Sequence, residues 1–453
     1  MTHDQMSLFS IQKQEQSEKP KEIYYTQRKI RRASRNQIEM IASSLDDMIP
    51  DDHPVKAIWA YIDNLDLSKA LLKIESYEGC VGRSAIDPKI LVALWLYATV
   101  EGIGSARVLA RYTREHLAFK WICGNVEIER RTISDFRVKH GDLFENLLAQ
   151  GIAILIHAEE ITLKEIAHDG LRVKADTSKK SFHRKQTIQQ SYKEAKERLA
   201  LLKKEIEEEP NKFNEREKAT KQRVAKERVE KLKAAQENLN KMLEESDLNR
   251  KKHKKKVLNK EEKEEIRVST IEPEARKMKM PDGSFHPAYN FQFAVDTFKT
   301  IIVGVDVVQA GTDGGQMLPM YKKIKTQYGI TPERYLADGG FKSKTDVEEM
   351  TKDGCNVYVP LQQKINGKDV KDIQKPRKGE SKEVEEWRKR MAEEGSKVIY
   401  KRRGSTIELC NARLREYGLY RLCVRGLDKA KNVATMFAVA HNMMRSIAMG
   451  LAI

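Results

Sequence analysis

The sequence predicts an α/β protein: a mixed β-sheet flanked by helices, preceded by an all-α N-terminal region and interrupted by a charged helical insertion. Three observations predict this. Residues 38–158 place apolar side chains at three-four spacing, the helical period. From residue 160 the pattern changes to apolar/polar alternation, and short apolar runs then take turns with amphipathic stretches. Residues 179–266 are almost all Lys, Glu, Arg and Gln, yet their few apolar residues keep a heptad frame.

The elements follow in order. Residues 1–37 are polar, contain the basic run "RKIRRASR" and read as a flexible basic arm. A helical domain is assigned to 38–158. There "HPVKAIWAYIDNLDLS" puts Val55, Ile58, Trp59 and Ile62 on one face. "DPKILVALWLYATVEG" is nearly apolar throughout, with Pro88 near its start, and reads as a central helix. "GSARVLARYTREHLAFKWICGN" gives two short helices that stop at Gly124–Asn125. In the next segment Thr132 stands three residues before Asp135, a capping arrangement with Asp in place of the usual Glu. Short helices, a turn and a capped basic helix resemble a helix-turn-helix reader. Arg130, Arg131, Arg137 and Lys139 would then face DNA. A helical bundle with a charged face fits the same pattern.

"EITLKEIAHDGLRVKADTS" alternates as a strand, and "YNFQFAVDTFKTIIVGVDVV" is two more, joined around Asp296–Thr300. A helix, the strand "RYLADGG", a helix, the strand "CNVYVPL" and a last helix, "GSTIELCNARLREYG", complete the unit. That order fits an RNase H-like catalytic domain with a mixed five-stranded sheet, assigned to 159–178 and 267–425. The insertion, 179–266, carries Tyr192, Ala195, Leu199, Leu202 and Ile206, then Ala225, Val229, Leu232, Leu239 and Leu243, with Gln236 as a polar seam position. An antiparallel helical hairpin or coiled coil satisfies this spacing; a solvated charge tract is the alternative. A second, basic interruption at 362–397 closes with a helix, and 426–453 is the C-terminal helix.

Charge narrows the function. A formal net charge of +17 over 453 residues favours a polyanionic partner, and nucleic acid is the commonest. No apolar run reaches the roughly 18–20 residues of a membrane span, so no membrane partner is expected. The N-terminus lacks a secretory pattern. Five scattered cysteines without zinc-site spacing read as reduced thiols, in keeping with a cytoplasmic location.

Three acids occupy special places. Asp169 lies in the first strand beside Gly170, Asp338 ends the fourth strand before Gly339 and Gly340, and Glu408 lies in the last helix of the sheet domain. A sheet of this kind sets the first and fourth strands side by side, with the late helix across them, so the carboxylates converge. Converging carboxylates repel unless cations neutralise them. Mg²⁺ suits oxygen ligands, and two ions can serve phosphodiester cleavage. The two glycines would leave the DNA backbone a path to Asp338, although an Asp-Gly turn also accounts for them. Asp176 is seven residues beyond Asp169, but the Asp-Gly context favours Asp169. Asp296 and Asp306 read as turn and strand polar residues, and His168 and His441 as core or surface residues.

"AHDG", "YLADGGF" and "YKRRGSTIELCNARLR" resemble the three acidic motifs of the DDE transposases of bacterial insertion sequences. The branch is the one with a Tyr–Arg–Glu–Lys signature on its glutamate helix. "AIDPKILVALWLYATVEGIGSARVLAR" is similar to that branch's N-terminal helical domain, and "PDGSFHPAYNFQFAVD" and "AGTDGGQMLPM" to its connecting segments. The resemblance spans roughly residues 40–445. It implies that Asp169, Asp338 and Glu408 are catalytic and hold two Mg²⁺ ions, with Mn²⁺ able to substitute. It also implies that Tyr400, Arg403 and Arg415 grip DNA near the cut. The expected function is binding of terminal inverted repeats, metal-dependent cleavage and strand transfer, by a homodimer or higher assembly on double-stranded DNA, near the bacterial nucleoid. A nuclease or resolvase without strand transfer, or a domesticated DNA-binding protein, would share these features. The signature is altered here: four residues, not three, separate Arg403 from Glu408, and Arg415 stands where Lys is usual. The extra residue leaves Arg402 and Arg403 both open as the signature arginine.

Overall fold

The computed structural model of the chain describes residues 40, 42–72, 74, 84–209, 213–252, 256–361, 364–365, 368–369 and 375–451. The arm assigned to 1–37 and Cys80 lie outside them. Before Leu45 only residues 40 and 42–44 are described, without regular structure, and one contact unit runs from Leu45 onward.

Seven helices come first: α1 (Pro54–Asp63), α2 (Ser68–Leu71), α3 (Pro88–Val100), α4 (Ala106–Glu115), α5 (Leu117–Cys123), α6 (Arg130–Lys139) and α7 (Gly141–His157). α3 starts where it does because Asp87 accepts from the Lys89 N–H at 2.8 Å and Pro88 needs no hydrogen-bond partner there. Its residues Leu91–Thr99 are all buried, and Trp95 Nε1 donates to the Ile133 carbonyl on α6 at 3.0 Å. α5 stops at Gly124, whose φ of 54° lies in the left-handed region.

α6 corrects two sequence expectations. It begins at Arg130, with Glu129 at the N-cap position but making no side-chain capping bond, so Thr132 lies inside its first turn and is not a cap. The chain is already pinned at buried Ile128, and burial of Ile133 and Phe136 sets the helix's rotation. That rotation also buries Arg137, which donates from Nη1 to the Gly104 carbonyl at 2.7 Å and lies 4.1 Å from the Trp95 ring centre. Arg137 therefore braces the entry to α4 and does not face DNA.

The sheet strands are β1 (Glu165–Lys174), β4 (Arg276–Lys279), β5 (Phe285–Asp296), β6 (Ile301–Val308), β7 (Arg334–Ala337) and β8 (Asn356–Tyr358). β5 runs antiparallel to β1, β4 and β6, whereas β1, β7 and β8 are parallel. β4 and β6 pair with successive halves of β5, and β1, β7 and β8 continue from its other edge. The five anticipated strands are present and β4 is a sixth; "RKMK" has too little apolar alternation to announce itself. This mixed sheet with its helices is of the α/β class and consistent with an RNase H-like fold. α11 (Met317–Tyr328) and α12 (Lys344–Lys352) connect the later strands, and α13 (Lys382–Ala392) follows two short strands, β9 (Lys364–Ile365) and β10 (Lys368–Asp369). α14 (Glu394–Arg403) and α15 (Leu409–Glu416) come next, then α16 (Leu427–Ala448).

α16 joins helices to sheet. It packs on α3, α7 and β6. Asn442 closes the edge of β6, accepting from the Ile302 N–H and donating to the Ile302 carbonyl, both at 2.8 Å. One amide side chain thereby replaces a missing strand partner.

The insertion leaves after β1 through β2 (Phe182–Arg184) and returns through β3 (Arg267–Ser269), which pair antiparallel. Between them α8 (Lys185–Glu208) and α9 (Glu215–Lys252) pack side by side, followed by α10 (Lys260–Glu265). Ile188, Ala235, Leu239 and Val268 are buried together at the base. The buried line on α9 runs Leu232–Ala235–Leu239, and Gln236, expected on the seam, is half-exposed.

Candidate active site

Register explains how two of the acids meet. β1 and β7 are parallel, with His168 opposite Ala337, so Asp169 and Asp338 each stand one step beyond a paired position on neighbouring strands. Beneath them the buried His168 ring lies 4.6 Å from Phe341 and its Nδ1 is 2.8 Å from the Tyr335 hydroxyl. Burial pushes the His168 pKa down to about 3, so it is a neutral core residue, as the sequence suggested.

The glycines beside the acids have local reasons. Gly340 donates its N–H to Asp338 Oδ1 at 2.7 Å, and a Cβ there would lie 2.9 Å from that same oxygen. At Gly170 a Cβ would lie 2.2 Å from Asp313 Oδ1. Asp313 accepts from Asn290 at 2.7 Å and from Gln292 at 2.9 Å, across the top of β5. Of these three glycines, Gly339 alone has open space where a Cβ would sit.

Glu408 reaches the same place from the helical run formed by α14 and α15. The two are continuous through a π-helical turn, Gly404–Glu408. Residues five apart on an α-helix point about 140° away from each other. The wider turn absorbs the inserted residue and brings Arg403 and Glu408 back to one side. Arg403 Nη1 donates to Glu408 Oε1 at 3.0 Å, while its Nη2 lies 3.8 Å from Asp169 Oδ1 and 4.0 Å from Asp338 Oδ2. One guanidinium thus contacts all three acids. Arg402 points elsewhere, to buried Glu165 at 3.1 Å, which also pairs with Arg334 at 3.0 Å.

The acids differ in depth. The side chains of Asp169, Asp338 and Glu408 are 18%, 41% and 64% exposed. Burial pushes the Asp169 pKa up to about 6; Arg403 opposes the rise, and Asp338 and Asp313 add to it. Tyr400 is half-buried near the acids; burial raises its pKa, Arg403 opposes the rise, and the acids add to it. Among the described residues, no three His, Cys, Asp or Glu side chains converge closely enough to hold one ion as they stand. Arg403 sits between the acids. Yet three oxygen-donor side chains already gathered on one cation, the deepest of them reluctant to ionise alone, form a donor set that fits a hard divalent ion.

The sequence reading missed Asn411. One turn after Glu408 and almost fully buried, it donates from Nδ2 to Asp169 Oδ2 at 2.9 Å. Its three-residue spacing from Glu408 on a helix was the available signal. Asp176, the competing acid, pairs with Arg425 at 3.1 Å and Arg421 at 3.8 Å, away from this cluster. Asp296 caps its turn by accepting from Phe298 and Lys299, and Asp306 pairs with Lys431. Arg130, Arg131, Lys139 and Arg415 are exposed. Asp135 engages Lys139 at 2.9 Å and Arg131 at 3.9 Å.

A mixed sheet with one aspartate in β1, another just past the end of its parallel neighbour β7, and a glutamate facing them from a late helix is consistent with the three-carboxylate arrangement of the RNase H-like DDE enzymes. Residues 43–139 match the transposase domain DUF772, and residues 265–443 match the transposase DDE domain. The second match includes Asp338 and Glu408; Asp169 lies ahead of it. The chain belongs to the DDE transposases of insertion sequences and is a DDE-type DNA transposase. No curated protein and no solved structure matches the chain. Such transposases act on DNA and normally use a divalent metal.

Proposed function

We propose that this transposase binds the terminal inverted repeats of its element through the helices of 38–158, cuts the ends and joins the freed 3′ hydroxyls to target DNA. The observation that carries the site is the convergence of Asp169, Asp338 and Glu408 on one guanidinium. Asp169, Asp338 and Glu408 would hold two Mg²⁺ ions, or Mn²⁺ in their place, supplying Lewis-acid activation of the attacking oxygen and stabilisation of the leaving one. Asn411 orients Asp169 through its 2.9 Å hydrogen bond. Arg403, Tyr400 and exposed Arg415 would grip phosphates beside the cut. Arg130, Arg131 and Lys139 supply charge to DNA from α6. The α8–α9 hairpin supports pairing of two protomers on two ends. The net charge of +17 and the DNA substrate suit a cytoplasmic, nucleoid-associated protein.

The test uses pre-cut and uncut duplexes bearing the repeats that flank the gene. Asp338→Asn and Glu408→Gln should abolish metal-dependent nicking and strand transfer while end binding stays near wild type; Asp176→Asn should keep all three. Near-normal nicking by either of the first two variants would overturn the site. Nicking without joining of pre-cut ends by the wild type would make the protein a nuclease only.

A further inference from the structure

We infer that Arg403 is a resident counter-cation of the three acids, which assembles them in the DNA-free protein and competes with divalent metal until a phosphate draws it away. The inference rests on the assignment of these acids as metal ligands and adds a second role to a residue otherwise placed on DNA.

Among the described residues Arg403 is one of the more deeply buried arginines, with 11% of its side chain exposed, and it lies inside the acid cluster. Its grip is uneven. Only the 3.0 Å contact with Glu408 is a hydrogen bond; Asp169 at 3.8 Å and Asp338 at 4.0 Å are held by charge alone. Arg403 Nε is buried with no hydrogen-bond partner among the described residues. One guanidinium also has three carboxyl groups to balance. The arrangement holds the acids together but does not satisfy the arginine.

A DNA phosphate offers what the cluster lacks, a fork of acceptors matched to the guanidinium face. Moving Arg403 onto it strips the acids of their counter-cation at the moment the substrate arrives. The acids then favour a divalent ion more strongly, and by reciprocity a bound ion frees Arg403 for the phosphate. The π turn is what permits this placement, because a regular α-helix would swing Arg403 away from Glu408. Arg402, one residue earlier, cannot substitute, since Glu165 holds it.

The experiment is a Mn²⁺ titration of the DNA-free full-length protein, read from the electron paramagnetic resonance of free Mn²⁺. Arg403→Gln should bind Mn²⁺ more tightly than wild type by a factor of about ten or more, the usual size of a coupling between two sites. Arg403→Lys keeps the charge without the fork and should fall between them. Arg402→Gln removes an equal charge outside the cluster and should match wild type. If Arg403→Gln fails to fold, Arg403→Lys decides. Unchanged or weaker binding by the Arg403 variants, or equal tightening by Arg402→Gln, would overturn the inference. Adding Asp338→Asn separates the two levels of the argument. If it weakens wild-type binding while Arg403→Gln does not tighten it, the metal assignment stands and the competition fails. If it leaves the tightened Arg403→Gln binding untouched, the metal lies elsewhere and both fail.

Discussion

Replacing Asp169 with Asn should stabilise the metal-free protein at neutral pH while removing cleavage. Burial lifts the Asp169 pKa from 3.8 to about 6, against the opposing pull of Arg403. A carboxyl that holds its proton more tightly folded than unfolded contributes full stability below pH ~4. It loses that contribution as pH rises through about 6. Two units at about 1.4 kcal/mol each put the cost of the ionised group near 3 kcal/mol at pH 7.5. Asparagine cannot ionise, and its oxygen still accepts from Asn411, while Arg403 keeps Glu408 and Asp338. The assay is urea unfolding in EDTA, wild type against Asp169→Asn, at several pH values. The variant should be more stable at pH 7.5 by about 2–3 kcal/mol, and the gain should shrink towards zero as the pH falls to ~4. Comparing the two proteins cancels the other titrating groups. Saturating metal should stabilise only the wild type and narrow or reverse the order. A variant no more stable than wild type at pH 7.5, or a gain independent of pH, would refute the reasoning.

Arg137→Ala should destabilise the fold by about 3 kcal/mol, because it removes a charged hydrogen bond to Gly104 and a guanidinium stacked on Trp95. It should leave the salt dependence of duplex binding unchanged, whereas Arg130→Gln should lower the slope of log affinity against log salt by about 0.9, both measured by fluorescence anisotropy. Replacing residues 195–228 by a Gly/Ser linker keeps Ile188, Ala235 and Leu239 at the hairpin base. That protein should fold, bind a single end and nick it, but form no slower-migrating paired-end complex on a native gel. Normal pairing would dismiss the assembly role, and loss of single-end binding would make the hairpin a DNA arm.

That Asp169, Asp338 and Glu408 meet is legible in the sequence, because each carries its own local signal: an acid at an alternating strand beside glycine, an acid ending a short apolar run, and an acid on a late helix. Strand order then followed from element order, and the β1–β7 pairing expected from it is present. The start of α3 was equally local, written in the Asp87–Pro88 pair. Periodicity states which face of an element is apolar and says little about which polar residues must share that face. Arg137 went inward because Ile133 and Phe136 fixed the rotation of α6 and Trp95 offered a ring to stack on. Gly170 had to be glycine because Asp313, 143 positions later in the numbering, crosses above it. The choice between Arg402 and Arg403 was likewise closed to sequence, since an inserted residue turns every later side chain by about 100° on an α-helix. The π turn undoes that rotation, Glu165 takes Arg402, and Arg403 is left among the acids. Chain chemistry named the carboxylates; only contacts between distant segments could decide which cation sits with them.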